Sequence, residues 1–265
     1  MSVSRRRFLS SAPVVLAPVL WSPSVPVVHD VPDVPDVSDP SFPTQPADLV
    51  REMVGVSHNN LVRVKELLAR HPTLARASWD WGFGDWEDAL GAASHVGNRE
   101  IAETLLAHGA RPTIFSAAMF GQVDVVRAFV AASPGIEATP GPHGITLLRH
   151  AVAGGPRAQA VADYLKTLPD ADKRPATQPI SSEDMAALTG EYLYGAGADE
   201  RILIATSNNA LTFARSGRIR LGHVGDRVFY PAGAPKVQIK FRSSAGRMTL
   251  TVHDPDLVLE ARRAT

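Results

Sequence analysis

Aromatic rings and carboxylates crowd one short segment of this chain, where Trp79, Trp81, Phe83 and Trp86 are interleaved with Asp80, Asp85, Glu87 and Asp88. Three of the four tryptophans in the protein lie here. Aromatic faces beside acidic hooks suit a sugar ring, a peptide or a cationic head group. The same rings also suit a local core, because an enlarged loop must pack its own apolar side chains. Gly82 and Gly84 permit a tight loop in either case.

Histidines form the second set with chemical capacity. His58 and His95 lie in neighbouring helical segments, Met119 and Phe120 follow in the next, and His143 lies on a later loop. With Asp80 or Asp85 close by, imidazole and carboxylate together are the donors of a metal site or of an acid–base pair. No H-x-x-H or H-E-x-x-H spacing occurs, so no metal ligand, cofactor or catalytic residue is assigned from the sequence. The candidate ligand-binding set is therefore Trp79, Asp80, Trp81, Phe83, Asp85, Trp86, His58, His95, Phe120 and His143. His253-Asp254-Pro255-Asp256 reads as a turn, and Arg215, Arg218 and Arg220 as a solvated strand face.

Composition narrows the classes. The 265 residues carry 27 basic and 27 acidic side chains, which gives no long-range attraction for nucleic acid or anionic lipid. Cysteine is absent, which excludes disulfides, thiol catalysis and thiolate metal sites. No apolar run is long enough to span a bilayer. Neither S-x-x-K nor G-x-S-x-G, the motifs of serine nucleophiles, is present.

The elements that must position these residues follow in chain order. Ser4-Arg5-Arg6-Arg7-Phe8-Leu9-Ser10 and the apolar Ala12–Trp21 resemble a twin-arginine export signal. That resemblance implies a signal over 1–21, transport in the folded state and a periplasmic or extracytoplasmic destination. Residues 22–46, which include VPDVPDVSDP, read as a spacer because proline fixes φ and removes donors.

Residues 47–172 show helix pairs with recurring leucine pairs and a small residue at each turn, at Asn59, Gly97, Gly121 and Gly155. Ile101, Leu105 and Leu106 share one helical face, as do Val125, Val126, Phe129 and Val130. Thr146-Leu147-Leu148-Arg149-His150-Ala151 resembles the T-P-L-H-x-A signature of ankyrin repeats at Thr, Leu and Ala. The resemblance implies an array of about four stacked helix pairs with a concave groove, and with a β-finger enlarged at the aromatic segment. The steps between the turns are unequal, so the units are not interchangeable.

After a linker at Pro169–Pro179 and a short capped helix at Ser181–Leu188, the period changes from helix to strand. Six strands are expected at Glu200–Ala205, Ala210–Ala214, Arg218–His223, Val237–Arg242, Arg247–His253 and Leu257–Ala261, with turns at Asn208-Asn209 and Gly225-Asp226. Leu188-Thr189-Gly190-Glu191-Tyr192 and the later strands resemble the small lipocalin-like domain appended to exported serine hydrolases of the beta-lactamase type. The expected fold class is α+β multidomain: an ankyrin-like array, then an antiparallel meander or barrel-like domain over 181–265. The expected function is an exported binding or scaffold protein that takes a protein or small ligand in the groove. The alternative is a hydrolase-type enzyme using a His/Asp pair there.

Overall fold

The computed structural model describes residues 43–197, 199–214, 218–244, 246–255 and 257–264. The export signal and almost all of the spacer lie outside them. Ser41–Thr265 forms one compact unit, with helices in its first half and strands in its second.

The helices start where polar side chains can cap them. Eight make up the helical layer: α1 (Ala47–Val56), α2 (Leu61–Arg70), α3 (Ala89–His95), α4 (Arg99–Ala107), α5 (Ile114–Phe120), α6 (Val123–Ala132), α7 (Leu147–Ala153) and α8 (Gln159–Lys166). Asn60, Asp88, Asn98 and Thr146 each accept a backbone N–H at the third helical residue, and Thr113 and Ser116 form a reciprocal capping box. Gly97 and Gly121 turn the chain between paired helices with φ of 74° and 79°. A Cβ at Gly97 would collide with the Ala153 carbonyl, and one at Gly121 with the Arg157 carbonyl, so close approach as well as conformation requires glycine.

This helical layer corrects the fold class expected from the sequence: it is not an ankyrin-like repeat array. Such an array would place a β-finger before each helix pair. Among the described residues the helical half has one two-stranded ribbon, β1 (Ser78–Asp80) with β2 (Trp86–Asp88), between α2 and α3. No strand separates α4 from α5, and only short 3-10 turns separate α6 from α7. Among the described residues of the helical layer, the buried apolar side chains form two clusters rather than one continuous stack. One is built on Met53, Leu68, Leu90 and Leu105, the other on Ile114, Val126, Leu147 and Leu165.

The second half agrees loosely with the barrel-like domain expected there: it closes into an eight-stranded antiparallel barrel, two strands more than the six expected. After α9 (Ser182–Leu188) come β3 (Gly190–Leu193), β4 (Arg201–Ser207), β5 (Ala210–Ala214), β6 (Arg218–Gly225), β7 (Val228–Pro231), β8 (Gln238–Ser244), β9 (Arg247–Asp254) and β10 (Leu257–Arg263). Each strand pairs with its neighbour in sequence, and β10 pairs back onto β3 through Arg262↔Leu193 and Arg263↔Tyr192. Closure leaves no free sheet edge. Strands β3 and β7 are the two that the alternation pattern does not reveal.

Alternate residues fill the barrel, among them Tyr192, Ile204, Phe213, Phe229, Ile239, Phe241 and Leu250. Asn208-Asn209, both at positive φ, make the β4–β5 hairpin. Helix and barrel layers meet at the ribbon. Phe83, at its tip, packs edge-on against Phe213 with centroids 5.3 Å apart. Gly233, in the turn after β7, leaves the room that the Asp85 carboxylate occupies.

Candidate metal centre

The ribbon decides which side chain becomes the centre. Cross-strand partners share a face, and the register pairs Trp79 with Glu87 and Asp80 with Trp86. Glu87 therefore points inward, where it is fully buried, while Trp86 is 62% exposed. Trp81, just past β1, donates its indole Nε1–H to Glu87 Oε2 at 2.8 Å. Asp88 is committed to capping α3, which begins at the next residue.

Three imidazoles converge on Glu87 from three other segments. His95 is the last residue of α3, and its Nε2 lies 2.9 Å from Glu87 Oε1. His58 follows α1, with Nε2 at 3.1 Å from His95 Nε2 and 3.7 Å from Glu87 Oε2. His143 sits in the tight turn Pro142–Gly144, with Nε2 at 3.4 Å from Glu87 Oε1. Its φ of 59° is a left-handed conformation that few residues adopt. Asp85 holds it there, accepting the His143 backbone N–H and the ring Nδ1–H, both at 2.8 Å.

The outer nitrogens fix the tautomers. A carbonyl can only accept, so His58 Nδ1, 2.9 Å from the Gly55 carbonyl, carries a proton and its Nε2 presents a lone pair. The Asp85 carboxylate likewise fixes a proton on His143 Nδ1. Carboxylate or carbonyl behind imidazole is the usual outer shell of a metal-ligating histidine. Ligand atoms of His58, Glu87, His95 and His143 all lie within 4.8 Å of one another. Ligands held at about 2.1 Å stand ~3.4 Å apart around a tetrahedral ion and ~3.0 to 4.2 Å apart around a five- or six-coordinate one that keeps a position for a further ligand. The quartet's closest pair, at 2.9 Å, already fits such an ion, while the widest, up to 4.8 Å, would have to close by about half an ångström or more.

Without an ion, protons must fill the same need. Burial pushes the Glu87 carboxyl up, but hydrogen bonds from His143 and His95 override it and hold the group at about 2. Burial likewise pushes His143 down, and its bonds to Asp85 and Glu87 reverse that to about 10. A buried carboxylate paired with an imidazolium is the arrangement that a metal would replace.

One more histidine stands behind the quartet. His150, on α7, is fully buried, donates Nδ1–H to the Thr146 carbonyl at 3.0 Å, and has no hydrogen-bond partner at Nε2 within the protein. Its ring meets His95 edge-on, 6.4 Å between centroids. Burial pushes it down to about 4.

Of the residues expected from the sequence, His58, His95 and His143 come together, with Trp81 and Asp85 behind them. Trp79 packs on the first helical core. Asp80 accepts the Gly82 N–H in the ribbon's bend. Phe83 belongs to the barrel contact, Trp86 faces outward, and Phe120 lies under the Arg99 guanidinium, 4.8 Å from its carbon. Glu87 and His150 are the residues that sequence reasoning passed over. Alternation separates Glu87 from Trp86 and Asp88, but only the register with β1 shows that Glu87 is the side chain turned inward. The quartet opens into a cleft of about 330 Å³ lined by His58, Trp81, His143, Arg218, Ile219, Arg220 and Ala232. Comparison with protein-family models, curated proteins and solved structures returns no match.

Proposed function

We propose that this protein binds one divalent first-row transition ion through His58, Glu87, His95 and His143, and uses it to engage a small ligand that enters by the cleft. The supporting observation is the convergence of three imidazole nitrogens on a fully buried carboxylate, with acceptors already placed behind His58 and His143. Nitrogen and oxygen donors of this mix suit zinc and its neighbours rather than calcium or magnesium. Such an ion supplies Lewis-acid polarisation of a bound oxygen and a lower pKa for bound water. The binding and hydrolase readings of the sequence thus meet at one place, with the Asp85–His143 pair orienting a ligand instead of activating a nucleophile.

The test is metal content and stability of the full chain. Protein stripped with a chelator and reloaded with zinc should retain one equivalent after gel filtration. Saturation at about a hundred times Kd should add about 2.7 kcal/mol to its stability. Glu87→Gln, which keeps an acceptor for Trp81 but removes the charge, should lower zinc affinity at least a hundredfold. Equal retention by the variant would remove the reading.

Export completes the proposal. A twin-arginine route carries folded protein, so the ion would be inserted before transport. Replacing Arg5 and Arg6 by lysine should strand the protein in the cytoplasm, and unchanged fractionation of that double variant would refute the route.

A further inference from the structure

We infer that the ligand entering this cleft is a small organic anion, a carboxylate or a phosphate ester, whose charged end meets Arg218 and Arg220 while one oxygen reaches the metal. The inference rests on the metal reading above. Arg218 and Arg220 are two apart on β6, so their side chains leave the strand on the same side. Both line the cleft that His58 and His143 line from the opposite layer. Neither guanidinium has an ion-pair partner among the described residues, although carboxylates pair with Arg63, Arg149, Arg174 and Arg201 elsewhere.

Charge decides the sign of the ligand. Glu87 and Asp85 together balance a divalent ion. Arg218 and Arg220, which line the cleft, then add positive charge that no carboxylate among the described residues pairs with. A cationic head group, one of the ligands the aromatic segment suggests, is disfavoured there. Planar guanidinium forks match carboxylate and phosphate oxygens. Trp81 and Ala232 give the remaining wall an apolar surface for the body of the ligand, and the cleft's volume suits a molecule about the size of one ring.

The experiment uses the full chain loaded with cobalt(II), whose visible absorption reports changes in coordination. Benzoate and phenylphosphate are titrated against their neutral counterpart, benzamide. At least one anion should shift the spectrum saturably, and benzamide should not. Arg218→Gln with Arg220→Gln should weaken that anion at least tenfold, as expected for lost charge-assisted hydrogen bonds. Cobalt affinity should change less than threefold, since neither arginine is a ligand. A stronger response to phenylphosphate identifies the phosphate class, and one to benzoate the carboxylate class. Should the double variant lose its circular dichroism, the wild-type chain answers instead. Raising salt from ~0.05 to ~0.5 M should weaken the anion several-fold by screening. If cobalt gives no spectrum, the metal reading fails and this inference falls with it. If cobalt binds but neither anion is seen, or both variant and salt leave anion affinity unchanged, the inference alone is overturned and the metal centre stands.

Discussion

Single residues set the pH behaviour of the metal-free protein. His150 is held down near 4 by burial, so between pH 6.5 and 4 the unfolded chain binds a proton that the folded chain refuses. Stability is then lost as pH falls through that window, at up to about 1.4 kcal/mol per unit. The groups facing His150 oppose one another, His95 disfavouring its charge and Glu87 favouring it. His143 acts in the other direction: raised to about 10, its contribution is whole below pH 6.5 and is lost as pH climbs toward 10. Glu87, held at about 2, contributes above pH 4.5 and loses that only in stronger acid. Metal-free protein should therefore be most stable near pH 6.5 in urea melts run across pH. Zinc should move the optimum upward, because the ion displaces a proton from His143. A zinc-free optimum above pH 8 would contradict the assigned protonation of the Glu87–His143 pair.

The ribbon is the element on which sequence and structure part company in the most instructive way. Alternation correctly puts Trp79 and Trp81 on one side and Asp80 on the other. Asp88 before an alanine-rich run is legible as a cap. What alternation alone leaves open is which face of β2 is buried, because Trp86 is the larger and more apolar side chain. Trp86 looks like the anchor until the register with β1 is known, and that register puts Glu87 inside instead. Trp86→Ala should accordingly change stability by no more than about 0.5 kcal/mol, as surface substitutions do. Trp81→Ala should cost about 1–3 kcal/mol, since it strips a hydrogen-bond donor from a buried carboxylate. Denaturant melts of the two variants decide the matter. A larger loss for Trp86→Ala would mean that the ribbon pairs with the opposite face inward.

In the whole molecule, what is local was legible and what is distant was not. Helix pairs with glycine turns and short alternating strands are written in neighbouring residues, so most helices and six of the barrel strands could be placed. Whether helix pairs repeat, and whether strands close, depends on contacts between remote segments. Gly97 and Gly121 look like repeat punctuation, yet the carbonyls of Ala153 and Arg157 are what they make room for. Closure depends on Tyr192 and Leu193 meeting the last residues of β10, which no local pattern announces. The quartet is of this kind too. Its members come from the α1–α2 turn, the ribbon, the end of α3 and the Pro142–Gly144 turn, so no motif spacing could reveal it. Metal binding should then depend on the assembled fold, with zinc lost when the chain unfolds. The most direct check is the X-ray absorption spectrum of zinc in the full-length, reloaded protein. Three imidazole nitrogens and one carboxylate oxygen should appear at about 2.0–2.2 Å. A zinc surrounded mainly by water oxygens, with fewer than two imidazoles, would contradict the assignment of the centre.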